Sequence, residues 1–343
     1  MGIRIHRRQF RPLLNHSIVA AMNRTISYQR WMHGLAGFAF FLSVVVIALG
    51  AYTRLMHAGL GCPDWPGCYG QIAPTLQATP FVMWVKAWTE MIHRYAAGTL
   101  ATVTFAAAMG FIGLGVWCRR RAWIGLGFAI IVVVIYQALL GMWTVTWRLW
   151  PVVVSQHLLG GMLLSTLLAI GWMWTRVAGG AWVHAALPRS WMWVGIGLIA
   201  LQIILGAWTS TTYSAAACPD FPWCDLHQVW QWTAVGFRPG LPDVNYENGV
   251  LTEAARRSIH VVHRVGALCV GLYSLGAGGL AYRRAGSGVE RAWAFGLLCL
   301  VCVQIGLGIG NVYLHFPLIS SVMHTLLAAS LLWWWVWGVM GRE

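Results

Sequence analysis

Charge is what this chain has least of. Only 9% of its 343 residues are Asp, Glu, Lys or Arg, and only nine are acidic. A soluble domain carries about 25% charged residues, so a water-facing globular fold is excluded. In place of charge stand apolar runs near 33–53, 95–117, 122–143, 152–174, 191–210, 260–281, 291–312 and 318–340. A run of roughly 20 such residues crosses the hydrocarbon core of a bilayer as a helix. The second run reaches back as far as Lys86 if its polar edge is included. The chain therefore reads as an all-α integral membrane protein with eight transmembrane helices. A cleavable signal pattern and a Ser-rich transit segment are also missing. Residues 1–32 read as a basic cytoplasmic tail, the first helix as the insertion signal, and a bacterial inner membrane as the setting.

The net charge is +14, which in a soluble protein points to nucleic acid. Here its distribution points to topology. With the N-terminus in the cytoplasm, the cytoplasmic segments hold 15 of the 23 basic residues against two acids, Glu290 and Glu343. The outer segments hold the other eight basic residues and seven acids. This is the positive-inside bias; it puts both termini in the cytoplasm, and no nucleic-acid partner is expected.

The eight cysteines divide by location. Cys62, Cys68, Cys218 and Cys224 fall in the two long outer loops, facing an oxidising space in which disulfides are allowed. Each Cys-x5-Cys loop fits a structural disulfide or an exchangeable redox pair, while zinc usually uses a tighter Cys spacing. Cys299-Leu-Val-Cys302 looks like a redox motif, but it lies in an apolar helix where cysteine is a small hydrophobe.

The chain repeats itself. Leu49-Gly50-Ala51-Tyr52-Thr53 matches Leu205-Gly206-Ala207-Trp208-Thr209, an offset of 156 (205 − 49). Cys62-Pro63-Asp64 falls on Cys218-Pro219-Asp220 at the same offset. His93-Arg94 falls on His263-Arg264 at 170, and Gln137, Gly141 and His157 fall on Gln304, Gly308 and His324 at 167. So many matches in order imply two tandem four-helix bundles, 33–176 and 191–343. Four helices per copy preserve orientation, so a pseudo-twofold axis along the membrane normal is expected. The outer loop about 211–257 is polar and leaves room for short helical stretches.

A histidine within a membrane helix is costly and needs a reason. Four sit at matched places: His93 and His157 in the first half, His263 and His324 in the second. Each is expected to open an even-numbered helix, toward the outer leaflet. Bundle cores hold cofactors between facing helices, and two opposed imidazoles make a six-coordinate b-type heme centre. Arg94 and Arg264 follow ligand candidates and suit anionic heme propionates or snorkelling to the interface. The halves differ at one important place: Glu90, three residues before His93 and on its helix face, is matched by His260. A carboxylate beside one heme only suggests that this half does chemistry, by accepting a proton or stabilising a cationic intermediate. A first-turn acid favoured by the helix dipole is the plainer account.

Glu90-Met-Ile-His93-Arg94, Ser155-Gln156-His157, His260-Val-Val-His263-Arg264, Met323-His324 and the two Cys-Pro-Asp loops together resemble the heme A synthase family over nearly the whole chain. The resemblance implies oxidation of the C8 methyl of heme O to a formyl group, giving heme A for terminal oxidases. It implies that His263 and His324 hold a resident heme b, that His93 and His157 bind the heme O substrate, and that Glu90 is essential. It implies pairing within each loop, Cys62–Cys68 and Cys218–Cys224, although family members vary in carrying both pairs. A heme O synthase and an electron-transfer protein are the partners it suggests, beside the lipid bilayer. Two other readings use the same histidines: a di-heme b electron carrier, and a heme carrier that modifies nothing. Neither accounts for the acid in one half.

Overall fold

The computed structural model describes residues 16–75, 81–176, 185–222, 224 and 244–340, with side chains described from residue 25 onward. The expected basic residues Arg4, Arg7, Arg8 and Arg11, the C-terminal Arg342 and Glu343, and most of the long second outer loop lie outside the described residues.

Eight helices follow one another: α1 (His16–Leu55), α2 (Phe81–Trp117), α3 (Arg121–Thr146), α4 (Pro151–Trp174), α5 (Arg189–Thr211), α6 (Glu253–Arg284), α7 (Gly288–Tyr313) and α8 (Leu318–Met340). All eight are long and apolar enough to cross a membrane. Helix is the form lipid demands, because it satisfies its own backbone groups internally. Their starts are locally encoded. Pro151 opens α4 in the first turn, where its missing N–H costs nothing. Thr252 caps α6, and Ser287 with Glu290 forms a reciprocal capping box on α7.

The eight expected spans all stand, but three helices overrun them. α1 begins by His16 rather than residue 33, α2 by Phe81 rather than 95, and α6 by Glu253 rather than 260. The α1 and α6 overruns are rich in polar residues, and that of α2, though largely apolar, is broken by Lys86, Glu90 and Arg94, so none reads as a continuous apolar run. His93 and His263 therefore sit in the fourth and third turns of their helices rather than opening them. His157 and His324 do lie near helix starts, in the second turns of α4 and α8. Among its described residues the second long loop contains a short 3-10 turn, Ala215–Ala217.

Packing closes two rings. α1 touches α2 and α4, and α3 bridges α2 and α4; α5 touches α6 and α8, and α7 bridges α6 and α8. The rings meet along α1–α8, α4–α5 and α4–α8. One core gathers Met32, Phe111, Ile130 and Leu168; the other gathers Met192, Trp293, Leu297 and Trp335. Trp293 and Trp334 donate their indole N–H groups to each other's backbone carbonyls at 3.1 and 3.0 Å. The Trp333–Trp335 cluster thus works in packing. Local conformations recur at matched positions: His57 and Tyr213 both have positive φ, as do Arg148-Leu149 and His315-Phe316.

The seam is polar at its outer end. Arg54 donates to the Ser210 carbonyl and its guanidinium lies 3.8 Å from the Tyr213 ring centroid. Ser155 and Thr211 hydroxyls bond at 2.9 Å. The second outer loop reaches the first half, where Tyr246 N–H donates to the Arg148 carbonyl at 3.1 Å and Glu247 faces Lys86 at 3.8 Å.

Candidate functional site

Each of the four histidines lies against a glycine of the preceding helix. A Cβ built on Gly50 (α1) would stand 3.0 Å from His93 Cε1, and one on Gly206 (α5) 3.1 Å from His263 Cε1. On Gly141 (α3) it would stand 3.5 Å from His157 Cε1, and on Gly308 (α7) 3.2 Å from His324 Cε1. The absent side chains create four slots in which an imidazole lies flush against bare backbone. Gly50 and Gly206 are the glycines of the repeated Leu-Gly-Ala motif, which gives that motif a physical purpose.

The histidines pair within halves. His157 lies within electrostatic range of His93, and His324 within that of His263. The Nδ1 atoms of His93, His157 and His324 are buried without a hydrogen-bond partner. Buried imidazole nitrogens rarely stay unsatisfied without a reason, and service as ligands to a heme would be one. His263 Nδ1 is 3.0 Å from Gln202 Nε2. Among the described residues no cluster of three or more His, Cys, Asp or Glu side chains is assembled. The donor set is two imidazoles per bundle, which suits a heme, whose macrocycle fills the other four iron positions.

Glu90 is 4% exposed. Its Oε2 accepts from the Cys62 backbone N–H at 2.8 Å, and its Oε1 meets Arg94 Nη2 at 2.5 Å. His260, its counterpart, is also buried and has an unpartnered Nδ1. The asymmetry between the halves is therefore one of buried chemistry and not of surface composition. Because α2 begins well before Glu90, the helix-dipole account loses its basis: the dipole acts within the first turn.

Both cysteine pairs are closed, Cys62–Cys68 and Cys218–Cys224. The four sulfurs are thereby spent as zinc ligands. Cys118, in the turn after α2, and Cys269, Cys299 and Cys302, on α6 and α7, are free and exposed, so Cys299 and Cys302 form no disulfide.

Sequence reasoning missed what the arginines do. Arg94 Nη1 donates to the carbonyls of Asp64 (3.0 Å), Pro66 (3.3 Å) and Gly67 (2.6 Å). Arg264 donates to those of Asp220 (2.7 Å), Pro222 (3.3 Å) and Cys218 (2.8 Å). Each arginine ties its cysteine loop to the helix that carries a candidate ligand. The signal was present in the sequence, since His-Arg and Cys-Pro-Asp are duplicated together. Loop carbonyls, however, are invisible as acceptors until the chain is folded.

Residues 33–336 match the family described as cytochrome oxidase assembly protein. The heme A synthase of Shewanella oneidensis is 39% identical over 84% of this chain and 90% of its own length. The chain belongs to the heme A synthase family. Membership makes it an enzyme, an oxidoreductase of heme A biosynthesis, embedded in a membrane. The heme A synthase of Sphingopyxis alaskensis is 27% identical over 93% of this chain and 92% of its own. A protoheme IX farnesyltransferase of Thermus thermophilus is 27% identical over 87% of this chain but only 46% of its own length.

Proposed function

We propose that the chain oxidises the C8 methyl of heme O to a formyl group, with the substrate held between His93 and His157 and a resident heme b between His263 and His324. One observation carries the assignment of roles. Two bundles repeat the same glycine-backed imidazole pair, and only the first has a buried carboxylate one turn from a ligand. Residues 33–176 then form the substrate bundle and 191–343 the cofactor bundle, related by a pseudo-twofold axis along the membrane normal. The pairwise agreement of ring packing, slots and loop clamps supports that relation.

A heme b held by His263 and His324 would supply one-electron redox capacity. The protein residues do the rest. His93 and His157 fix the substrate macrocycle, and the flush slots at Gly50 and Gly141 set how deeply each ring seats. Converting a methyl to a formyl group takes two successive two-electron oxidations, through an alcohol to a hydrated aldehyde that loses water; with the oxygen taken from water, four electrons leave to the electron-transfer partner together with four protons. Protons leave at each stage, and cationic character develops at the carbon. Glu90 is the carboxylate to receive a proton or to stabilise that charge. Arg94 and the Cys62 N–H hold it in one place, and preorganised charge is worth most in a dry site. Arg94 and Arg264 also bring positive charge to the level where anionic propionates need it.

Orientation follows from the charge bias: cytoplasmic termini, with all four histidines, both disulfides and both loop clamps toward the outer side of a bacterial inner membrane. A heme O synthase and an electron-transfer protein are the expected partners. The Thermus relative supports the first, since a protein named for farnesyl transfer contains a segment similar to this chain. The test is to extract hemes from membranes expressing the chain with a heme O source and analyse them by chromatography and mass. Formyl heme, absent in His93→Ala and Glu90→Gln controls, is the expected result. A well-folded red protein that yields only heme B and unchanged heme O would overturn the reading.

A further inference from the structure

Tyr136 on α3 donates its hydroxyl to the Oε1 of Gln156 on α4, the residue beside His157. Both side chains are exposed, Tyr136 by 40%. The surface around them is apolar. Val132 and Leu139, four residues before and three after Tyr136, share its helix face, and Leu163, seven residues after Gln156, shares that of Gln156. All three are exposed. A phenol and an amide standing on such a surface within a bilayer are costly and need a use.

The second half has no such pair. At the 167-residue offset Tyr136 falls on Val303 and Gln156 on Met323. These are 50% and 43% exposed, so the matched places are equally open and only their polarity differs. The contrast falls in the same half as that of Glu90 and His260. The pair also keeps bonding capacity to spare. Among the described residues nothing else bonds the two side chains. The Gln156 amide retains its N–H donors, and the Tyr136 oxygen, having given its proton, can still accept one. A group that accepts from the amide and donates to the phenol completes both. On apolar surroundings, that is the chemistry of an alcohol carried on a hydrocarbon chain.

We propose that Tyr136 and Gln156 recognise the hydroxyl on the farnesyl-derived chain of heme O, with the chain passing between α3 and α4 along Val132, Leu139 and Leu163. This rests on the reading of His93 and His157 as the heme O site. Heme O differs from heme B in that chain and in the hydroxyl on the carbon that joins it to the ring; heme B has a plain vinyl group there. A macrocycle between His93 and His157 leaves no room for the chain inside the bundle, so the chain must leave between two helices. Gln156, next to a ligand candidate, stands at one such exit. Val303 and Met323, at the same places in the second half, suit a heme without a hydroxyl. A site built to bond a hydroxyl discriminates against the analogue that lacks it, so the pair sets the preference for heme O over heme B.

The experiment titrates heme O and heme B separately into the full-length protein in detergent, followed at the Soret band, with His93→Ala marking the signal of the first bundle. Tyr136→Phe and Gln156→Met remove polarity at nearly constant volume. Each should weaken heme O binding roughly 2- to 10-fold, the worth of one hydrogen bond, and leave heme B binding at that site unchanged. In direct competition the preference for heme O should narrow by the same factor. Equal losses for the two hemes would reduce the pair to a tie between α3 and α4, and undiminished heme O binding in both variants would leave it without a role. Either result overturns the inference while the substrate site stands. Heme O binding that survives in full in His93→Ala would overturn the site reading, and the inference with it.

Discussion

The Oε2 of Glu90 accepts a hydrogen bond from the Cys62 backbone N–H at 2.8 Å, so the one acid set apart by the repeat is held by the disulfide loop above it. Arg94 completes the arrangement, with Glu90 at one edge of its guanidinium and three loop carbonyls at the other. The second half repeats the clamp through Arg264 but has His260 in place of the acid. Each cysteine loop is thereby tied to the helix that carries a candidate ligand, and in the first bundle to Glu90 as well.

Replacing Glu90 with Gln keeps the size of the side chain and removes its capacity to take a proton. Formyl-heme yield should fall on the order of 100-fold or more, the usual contribution of a positioned acid–base group. Heme content per protein should be unchanged, as read from the pyridine hemochrome. Loss of heme in step with activity would instead make Glu90 a structural residue.

Arg94→Lys and Arg264→Lys keep the charge but lose the planar fork that reaches several carbonyls at once. Each should destabilise its loop by about 1–3 kcal/mol, the cost of unmaking hydrogen bonds to a charged group, visible as a lower midpoint in thermal unfolding. Only Arg94→Lys should also lower turnover at full heme loading, because only Arg94 holds a carboxylate. Equal turnover losses in the two variants would contradict this.

Gly50→Leu and Gly206→Leu place bulk where a Cβ alone would already stand 3.0 and 3.1 Å from an imidazole. Each should empty one heme site: Gly50→Leu the exchangeable one, Gly206→Leu the resident one. Gly34→Leu is the control, since nothing lies within 4 Å of its Cβ position. Heme content and circular dichroism together separate loss of a slot from loss of the fold.

Removing the Cys62–Cys68 disulfide by a double Ser substitution opens a loop with a sequence separation of 6. The chain-entropy account gives a cost of about 2 kcal/mol for so short a loop. The same change at Cys218 and Cys224 should cost about as much. Turnover should fall more in the first case, since Cys62 is the residue whose N–H holds Glu90. Matching activity losses would show that the loop does not position the acid.

Much was legible before folding. Scarcity of charge and eight apolar runs determined a helical membrane protein, because lipid admits little else. The 156-, 167- and 170-residue offsets paired the four histidines and exposed Glu90 as the odd residue. Helix starts in α2 and α6 were not legible, since charged residues (Lys86, Glu90 and Arg94 in α2; Glu253, Arg256 and Arg257 in α6) interrupt the apolar signal there. Nor were the partners of Arg94 and Arg264, which are backbone carbonyls and carry no residue signature. The facing of Gly50 by His93 and of Gly206 by His263 and the tie from Glu90 to Cys62 join residues on different segments. Sequence determined which groups are present and how often; only tertiary packing decided which groups meet, because contact across helices depends on rotation and depth that no single helix encodes.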